Sequence, residues 1–285
     1  STTTGNVAEP MLPNRRQILL TSCALAIATP WMGVWAQTDG GFDPGYAAWD
    51  ALLKTHVRWL PDNRQTRVDY KGFAADRPAL QKILAQWSAV APATFAGFSR
   101  EQKMVFLINS YNGFTVELIL TQYPNLKSIK DLGSLLQSPW KKKFFRLLGE
   151  ERHLDWIEHE QLRPVFTDWR IHAAVNCASI GCPALRPEAF MVQTLEAQLD
   201  DGMARFMGDA TRNRYAQGRA ELSEIFKWFR ADFEKGDRGL HNLEQLVLRY
   251  ADALRVPVPE RAQLRSGTLR IRYLDYDWSL NDVGR

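Results

Sequence analysis

Two of the chain's three cysteines and one of its five histidines fall in one short stretch. It reads Arg170-Ile171-His172-Ala173-Ala174-Val175-Asn176-Cys177-Ala178-Ser179-Ile180-Gly181-Cys182-Pro183. The thiolate is the reactive form of cysteine, and forming it takes a nearby positive charge, an imidazole or a helix N-terminus. Three kinds of chemistry are open to this pattern. Cys177 can be a nucleophile assisted by a histidine, as in cysteine hydrolases and acyl transferases. Cys177 and Cys182 can form a disulfide, structural or redox-active, although the spacing is not Cys-x-x-Cys and gives thioredoxin-type exchange no specific support. The two thiols and a histidine can also hold a metal, but no second ligand pair is evident and no metal is expected.

The base for such a thiol has two candidates. His172 precedes Cys177 by five residues, which puts the side chains on opposite faces of a strand. Around a helix they stand about 140° apart at roughly 100° per residue. His172 therefore serves Cys177 only if the chain bends between them. His159, brought in by the fold, is the other candidate, with acidic Glu158 beside it to raise its basicity. Arg163 follows His159 by one helical turn, whereas Glu158 and His159 diverge on a regular helix. Asn109 and Asn112 share a helix face, and buried amides need partners. They serve either as a clamp on neighbouring backbone or as substrate-orienting or oxyanion groups. Asp277 and Asn281 are further candidates for orienting a histidine, against a C-terminal strand that merely closes the core. The expected catalytic set is Cys177, His172, His159, Glu158 and Asn112. The expected substrate-holding set is Asn109, Tyr111, Asn176, Ser179 and Arg163. The small residues between Asn176 and Pro183 suggest a flexible loop approaching a substrate.

These residues need elements to position them. The spacing of apolar residues predicts helices over 46–60, 78–90, 99–123, 188–207, 224–233 and 241–254. The helix over 99–123 opens on Ser99 with Gln102 three residues later, a capping-box pattern, and stops before Pro124. It is apolar on almost every side, which places it at the centre of the protein. Hairpins are predicted over 143–156 and 214–222, short strands over 68–70 and 268–278, and a short helix around 157–160. Helices interrupted by antiparallel hairpins, without a βαβ rhythm, indicate an α+β fold: a central buried helix, surrounding helices and a small antiparallel sheet.

The N-terminal part carries Arg15-Arg16 followed by an apolar run to Ala36, which reads as an export signal of twin-arginine type over 1–36. Cys23 lies inside it. Residues 37–98 then form a helical lead-in packed on the core, and 99–285 the main α+β domain. Cleavage after Ala36 leaves a chain with no stable membrane span, in the periplasm or outside the cell, where a cysteine pair persists as a disulfide. The net charge of +4 and a longest basic run of Lys141-Lys142-Lys143 give no nucleic-acid signature. A small-molecule or peptide ligand is expected, and no cofactor.

Four motifs carry a family resemblance. They are Phe106-Leu107-Ile108-Asn109-Ser110-Tyr111-Asn112, Ile157-Glu158-His159 with Arg163, Arg170-Ile171-His172 through Asn176-Cys177 to Gly181-Cys182-Pro183, and Tyr276-Asp277-Trp278-Ser279-Leu280-Asn281. Together they resemble the domain-of-unknown-function 547 family from about Phe106 to Asn281. The resemblance implies a bacterial, often exported, protein. It also implies distant kinship with eukaryotic members fused to glutaredoxin-like domains, and polar groups from distant segments converging on the cysteine loop. The function expected is a thiol-dependent hydrolase or acyl transferase using Cys177. The rival expectations are a non-catalytic binding or scaffold domain stapled by Cys177–Cys182, and a thiol-redox or metal-binding protein.

Overall fold

The computed structural model describes residues 41–134 and 136–284, so the export signal expected over 1–36 lies outside the described residues. The helix expected over 99–123 forms the centre. It runs Arg100–Leu120 (α5 below) and is buried along nearly its whole length. Its first turn is closed by the reciprocal Ser99–Gln102 capping box, which satisfies amide donors that would otherwise lack partners.

The helices α1 (Ala47–His56), α2 (Tyr70–Ala75), α3 (Arg77–Ser88) and α4 (Pro92–Ala96) precede α5. Trp49, Phe73 and Trp87 carry their buried faces. Gly113 lets α3 and α5 approach closely: a Cβ there would stand 2.7 Å from the Trp87 ring. The helix predicted over 46–60 ends early. Val57–Trp59 is instead strand β1, paired antiparallel with β2 (Thr66–Val68). Three β-branched residues, Val57, Thr66 and Val68, and the aromatic Trp59 favour that pairing.

Beyond α5 comes the hairpin β3 (Phe145–Leu147) and β4 (Glu150–Arg152). A π-helical turn, Trp156–Leu162, runs into α6 (Arg163–Phe166). A short 3-10 turn over Trp169–Ala173 then leads to the cysteine loop. The helix predicted over 188–207 is regular only from Leu195 to Met207 (α7). A second core packs α7 against β6 and the later helices through Trp169, Phe206, Leu222, Phe226, Phe233 and Leu246. These later elements are β5 (Arg214–Ala216), β6 (Arg219–Ser223), α8 (Ile225–Trp228), α9 (Arg230–Phe233), α10 (Leu243–Arg249), α11 (Arg261–Ser266) and β7 (Ile271–Leu274). The helix predicted over 224–233 is thus two short ones. Strands β5 and β6 form the predicted hairpin, and β7 joins β6 in parallel.

The fold is α+β, with about half its residues helical and little strand, in small sheets. Among the described residues, no helix is long and apolar enough to cross a membrane.

Candidate active site

The chain after β7 holds the cysteine loop in place. Amides of Ile180 and Gly181 donate to carbonyls of Ser279 and Asp277, each at 2.8 Å, and Asn281 donates to Ala178 at 3.1 Å. The same segment pairs on its other side with β2, where the Val68 amide donates to the Asn281 carbonyl at 2.9 Å. Gly181 is needed here because a Cβ would press into the Tyr276 ring at 2.8 Å. The buried Arg212 guanidinium donates to the Cys182 carbonyl, and the Gln65 amide to the Ile180 carbonyl. A loop held at so many points is not the flexible segment its small residues suggested.

Both asparagines of α5 turn out to be clamps. Asn112 donates to the Ala174 carbonyl at 3.0 Å and accepts from the Asn176 amide at 2.8 Å. Asn109 does the same for Phe190, donating at 2.9 Å and accepting at 3.0 Å. Asn112 was expected among the catalytic groups, orienting a histidine. Its amide is spent instead on the backbone leading to Cys177. Asn109 likewise holds backbone and does not line the cavity. Asn176 accepts from the Ala178 amide at 2.9 Å and donates to the Pro183 carbonyl at 2.8 Å, closing the loop on itself. We expect Asn112→Ala to orphan a buried donor and a buried acceptor and to cost about 2 kcal/mol, read as a lower midpoint in urea unfolding at unchanged slope.

Cys177 and Cys182 are paired, with sulfurs 2.13 Å apart. Cys177 is half-buried and Cys182 buried. Ser179 and the Tyr276 hydroxyl each stand 3.1 Å from the Cys177 sulfur. The Cys182 sulfur accepts from the Cys177 amide at 3.0 Å and from the Tyr276 hydroxyl at 3.1 Å. Burial raises the Tyr276 pKa far above the ordinary phenol value, against a smaller lowering by its bond to Ser179. Tyr276 is therefore a proton donor throughout the neutral range. No hydrogen bond joins either sulfur to an imidazole among the described residues.

Beside the pair lies a cavity of about 220 Å³, lined by Cys177, Cys182, His159, His172, Glu158, Asp155 and Tyr111, with aromatic walls. The sequence predicted that Glu158 and His159 diverge, yet both face this cavity. The cause is the π-turn, in which the Arg163 amide donates to the Glu158 carbonyl, five residues back. Pro164 follows with no amide to offer the preceding turn, so the backbone ladder is interrupted where the π-turn passes into α6.

The two histidines differ in what their nitrogens hold. Arg163 Nη1 donates to His159 Nδ1 at 2.9 Å, which puts the ring proton on Nε2, 3.5 Å from Asp155. His159 therefore has no free basic nitrogen. His172 is packed on Phe229 at 4.3 Å between ring centres, and its Nε2 donates to Asp232 at 2.9 Å. Among the described residues its Nδ1 makes no hydrogen bond, which leaves it as the basic nitrogen. The turn carrying His172 is anchored by Arg170, wholly buried and bonded to Asp168, Glu196 and Asp200.

Asp232 is the group that the sequence did not reveal. It also accepts from Arg163 Nε at 2.6 Å and from Lys235 at 2.6 Å. Burial pushes its pKa up, but the bonds from His172, Arg163 and Lys235 outweigh that and hold the carboxyl well below the usual carboxylate range. Asp277 and Asn281, candidates for this orienting role, are placed elsewhere. Asp277 caps the Ser279 amide at 2.8 Å, and Asn281 accepts from the Tyr70 hydroxyl at 2.8 Å. Among the described residues no group of three or more His, Cys, Asp or Glu side chains is placed to hold a metal ion.

These features define an α+β domain with a buried imidazole–carboxylate pair and a cysteine couple opening on one aromatic pocket. Residues 95–207 match the model of a protein family of unknown function, DUF547. The matched part holds the α5 clamps, the π-turn and the cysteine loop; Asp232 and Tyr276 lie beyond it. No curated protein and no solved structure matches the chain.

Proposed function

We propose that the pocket is a thiol-dependent hydrolase or acyl-transfer centre, working after export, with Cys177 as nucleophile, His172 as base and Asp232 as the group that orients the base. The observation that supports it is the His172–Asp232 bond of 2.9 Å on a ring lining the same cavity as the half-buried Cys177. It is the arrangement in which a carboxylate fixes the tautomer and leaves the other nitrogen to take a proton.

The disulfide is the resting form. A thiol reductant RSH opens it, two RSH becoming RSSR while both cysteines gain a proton. The Cys177 thiol then passes its proton to His172 Nδ1, and the sulfur attacks a carbonyl carbon as the C=O electron pair moves to oxygen. Collapse breaks the bond to the leaving group, which takes the proton from His172 and leaves a thioester on Cys177. Water or an amine attacks in turn, gives its proton to His172 and releases the acyl product, and the thiolate recovers that proton. The Tyr276 hydroxyl, 3.1 Å from the sulfur, is the donor available to the oxyanion.

The test uses reduced protein and the activated ester p-nitrophenyl acetate. The expected result is a burst of nitrophenolate with one acetyl mass on Cys177, absent from Cys177→Ala. Equal acetylation of the two proteins sinks the reading.

A second reading, thiol–disulfide exchange, is favoured by one observation. The Cys182 sulfur already receives the Cys177 amide and the Tyr276 hydroxyl, donors suited to a leaving thiolate. It requires the unreduced protein to oxidise a dithiol such as dithiothreitol through a mixed disulfide on Cys177. An inert disulfide under those conditions removes it.

A further inference from the structure

The charges and rings of the cavity specify more than a nucleophile needs. Among the described residues its charged lining beyond the two imidazoles is Asp155 and Glu158, with no lysine or arginine. Among the described residues neither carboxylate lies within ion-pair distance of a lysine or arginine. Asp155 stands 3.5 Å from the Nε2 of His159; Glu158 stands 4.0 Å from its Nδ1 and is hydrogen-bonded by the Tyr111 hydroxyl, a neutral donor. That imidazole is the neutral tautomer, since its Nδ1 accepts from Arg163. The Glu158 side chain is 9% exposed, so its charge faces the cavity more than bulk water. A buried carboxylate without a counter-charge is costly unless a ligand supplies one.

The opposite wall is aromatic. Trp228 stacks on Trp278 at 5.7 Å, Tyr276 meets both, and Trp140 meets Trp278 edge-on at 5.8 Å. This cluster already carries one cation: the Lys130 ammonium stands 3.8 Å from the Trp278 ring centre. Rings that present their faces to a cation, with carboxylates across a small cavity, are the chemistry of ammonium recognition.

We propose that the pocket binds an alkylammonium group of side-chain size, so that the acyl substrate is an amide or ester bearing a lysine-like amine. This inference rests on the acyl-transfer reading for the word substrate; the binding itself does not. A neutral apolar chain of the same length would leave Asp155 and Glu158 unneutralised and is the competitor to be rejected.

The test is binding to the unreduced full chain, which cannot turn over. The probes are N-acetyl-lysine methylamide and its neutral counterpart N-acetyl-norleucine methylamide, followed by tryptophan fluorescence and calorimetry. The lysine probe is expected to bind about tenfold more tightly, a preference that shrinks as salt rises. Glu158→Gln is expected to bring the preference to within about twofold, and Trp278→Leu to weaken the lysine probe alone, each variant first shown to be folded by circular dichroism. Equal or tighter binding of the norleucine probe overturns the proposal. So does a preference that survives both Glu158→Gln and Asp155→Asn, or no binding of either probe at millimolar concentration. A preserved lysine preference with no acetylation of reduced Cys177 would leave this pocket chemistry standing and remove the acyl-transfer reading. Acetylation without the preference would do the reverse.

Discussion

Cys182→Ala acylates on Cys177 without any reductant, at the rate of the reduced parent, whereas the unreduced parent is silent. The difference expected is about 100-fold or more, because a disulfide sulfur has no lone thiolate with which to attack a carbonyl. The variant is expected to fold. Cys182 is buried, but the loop around it is held by Asn112, Gln65 and Arg212 and by pairing with the 277–281 segment, none of which needs the sulfur–sulfur bond. The variant also reads out the electrostatics of the loop. The Cys177 amide and the Tyr276 hydroxyl, now without the Cys182 sulfur to satisfy, become donors for the Cys177 thiolate or for the oxyanion. Acetylation is followed by mass spectrometry with and without dithiothreitol. A Cys182→Ala protein as inert as the unreduced parent would mean that the pairing does not gate the nucleophile.

Asp232→Asn is expected to lower the acetylation rate of reduced protein by about 10³- to 10⁴-fold. An asparagine can present its amide N–H to His172 Nε2, which moves the ring proton to Nδ1 and removes the basic nitrogen. The same residue governs acid stability. Asp232 is 5% exposed and sits among three donors. Its carboxyl is held below the ordinary value, so the ionised form is the one that folding favours. That contribution is complete above the unfolded-state pKa of about 4 and is lost as pH falls from there toward the lower folded value. Leaving Arg163, Lys235 and His172 without their common carboxylate charge is expected to cost about 3 kcal/mol at neutral pH. Urea unfolding of parent and variant should therefore differ most at neutral pH and converge below about pH 4. A gap that stays constant down that range would contradict the charge argument, even with the rate effect intact.

What the sequence conveyed was local. The Ser99–Gln102 cap, the buried character of α5 and the 214–222 hairpin each rest on neighbours within a few residues, and those signals are written in residue type. The convergence of Cys177, His172, His159 and Glu158 on one cavity was legible as a set of motifs, not as geometry. Asp232 was not legible. It lies in a run of alternating aromatic and charged residues that reads as an ordinary amphipathic helix, and its partner His172 is 60 residues away in the chain. The only signal available was an acid flanked by Phe229 and Phe233, a polar group where a core face should run. The π-turn escaped for a different reason. Pro164 interrupts the backbone ladder, but whether the chain kinks, ends or widens by a residue is decided by the packing of Trp156 and Leu162. The parallel placement of β7 beside β6 depends on a crossover of some fifty residues, beyond any local pattern.

The last strip of chain, threaded between β2 and the cysteine loop, has a consequence for how the protein is made. Tyr276 and the carbonyls that fix Ile180 and Gly181 are synthesised almost a hundred residues after Cys177. A nascent chain emerging in order cannot assemble the pocket until residues 276–281 have been made, so the two thiols meet their full surroundings only after that segment emerges. Chemistry at Cys177 is in this way withheld from any copy that stops short of Tyr276.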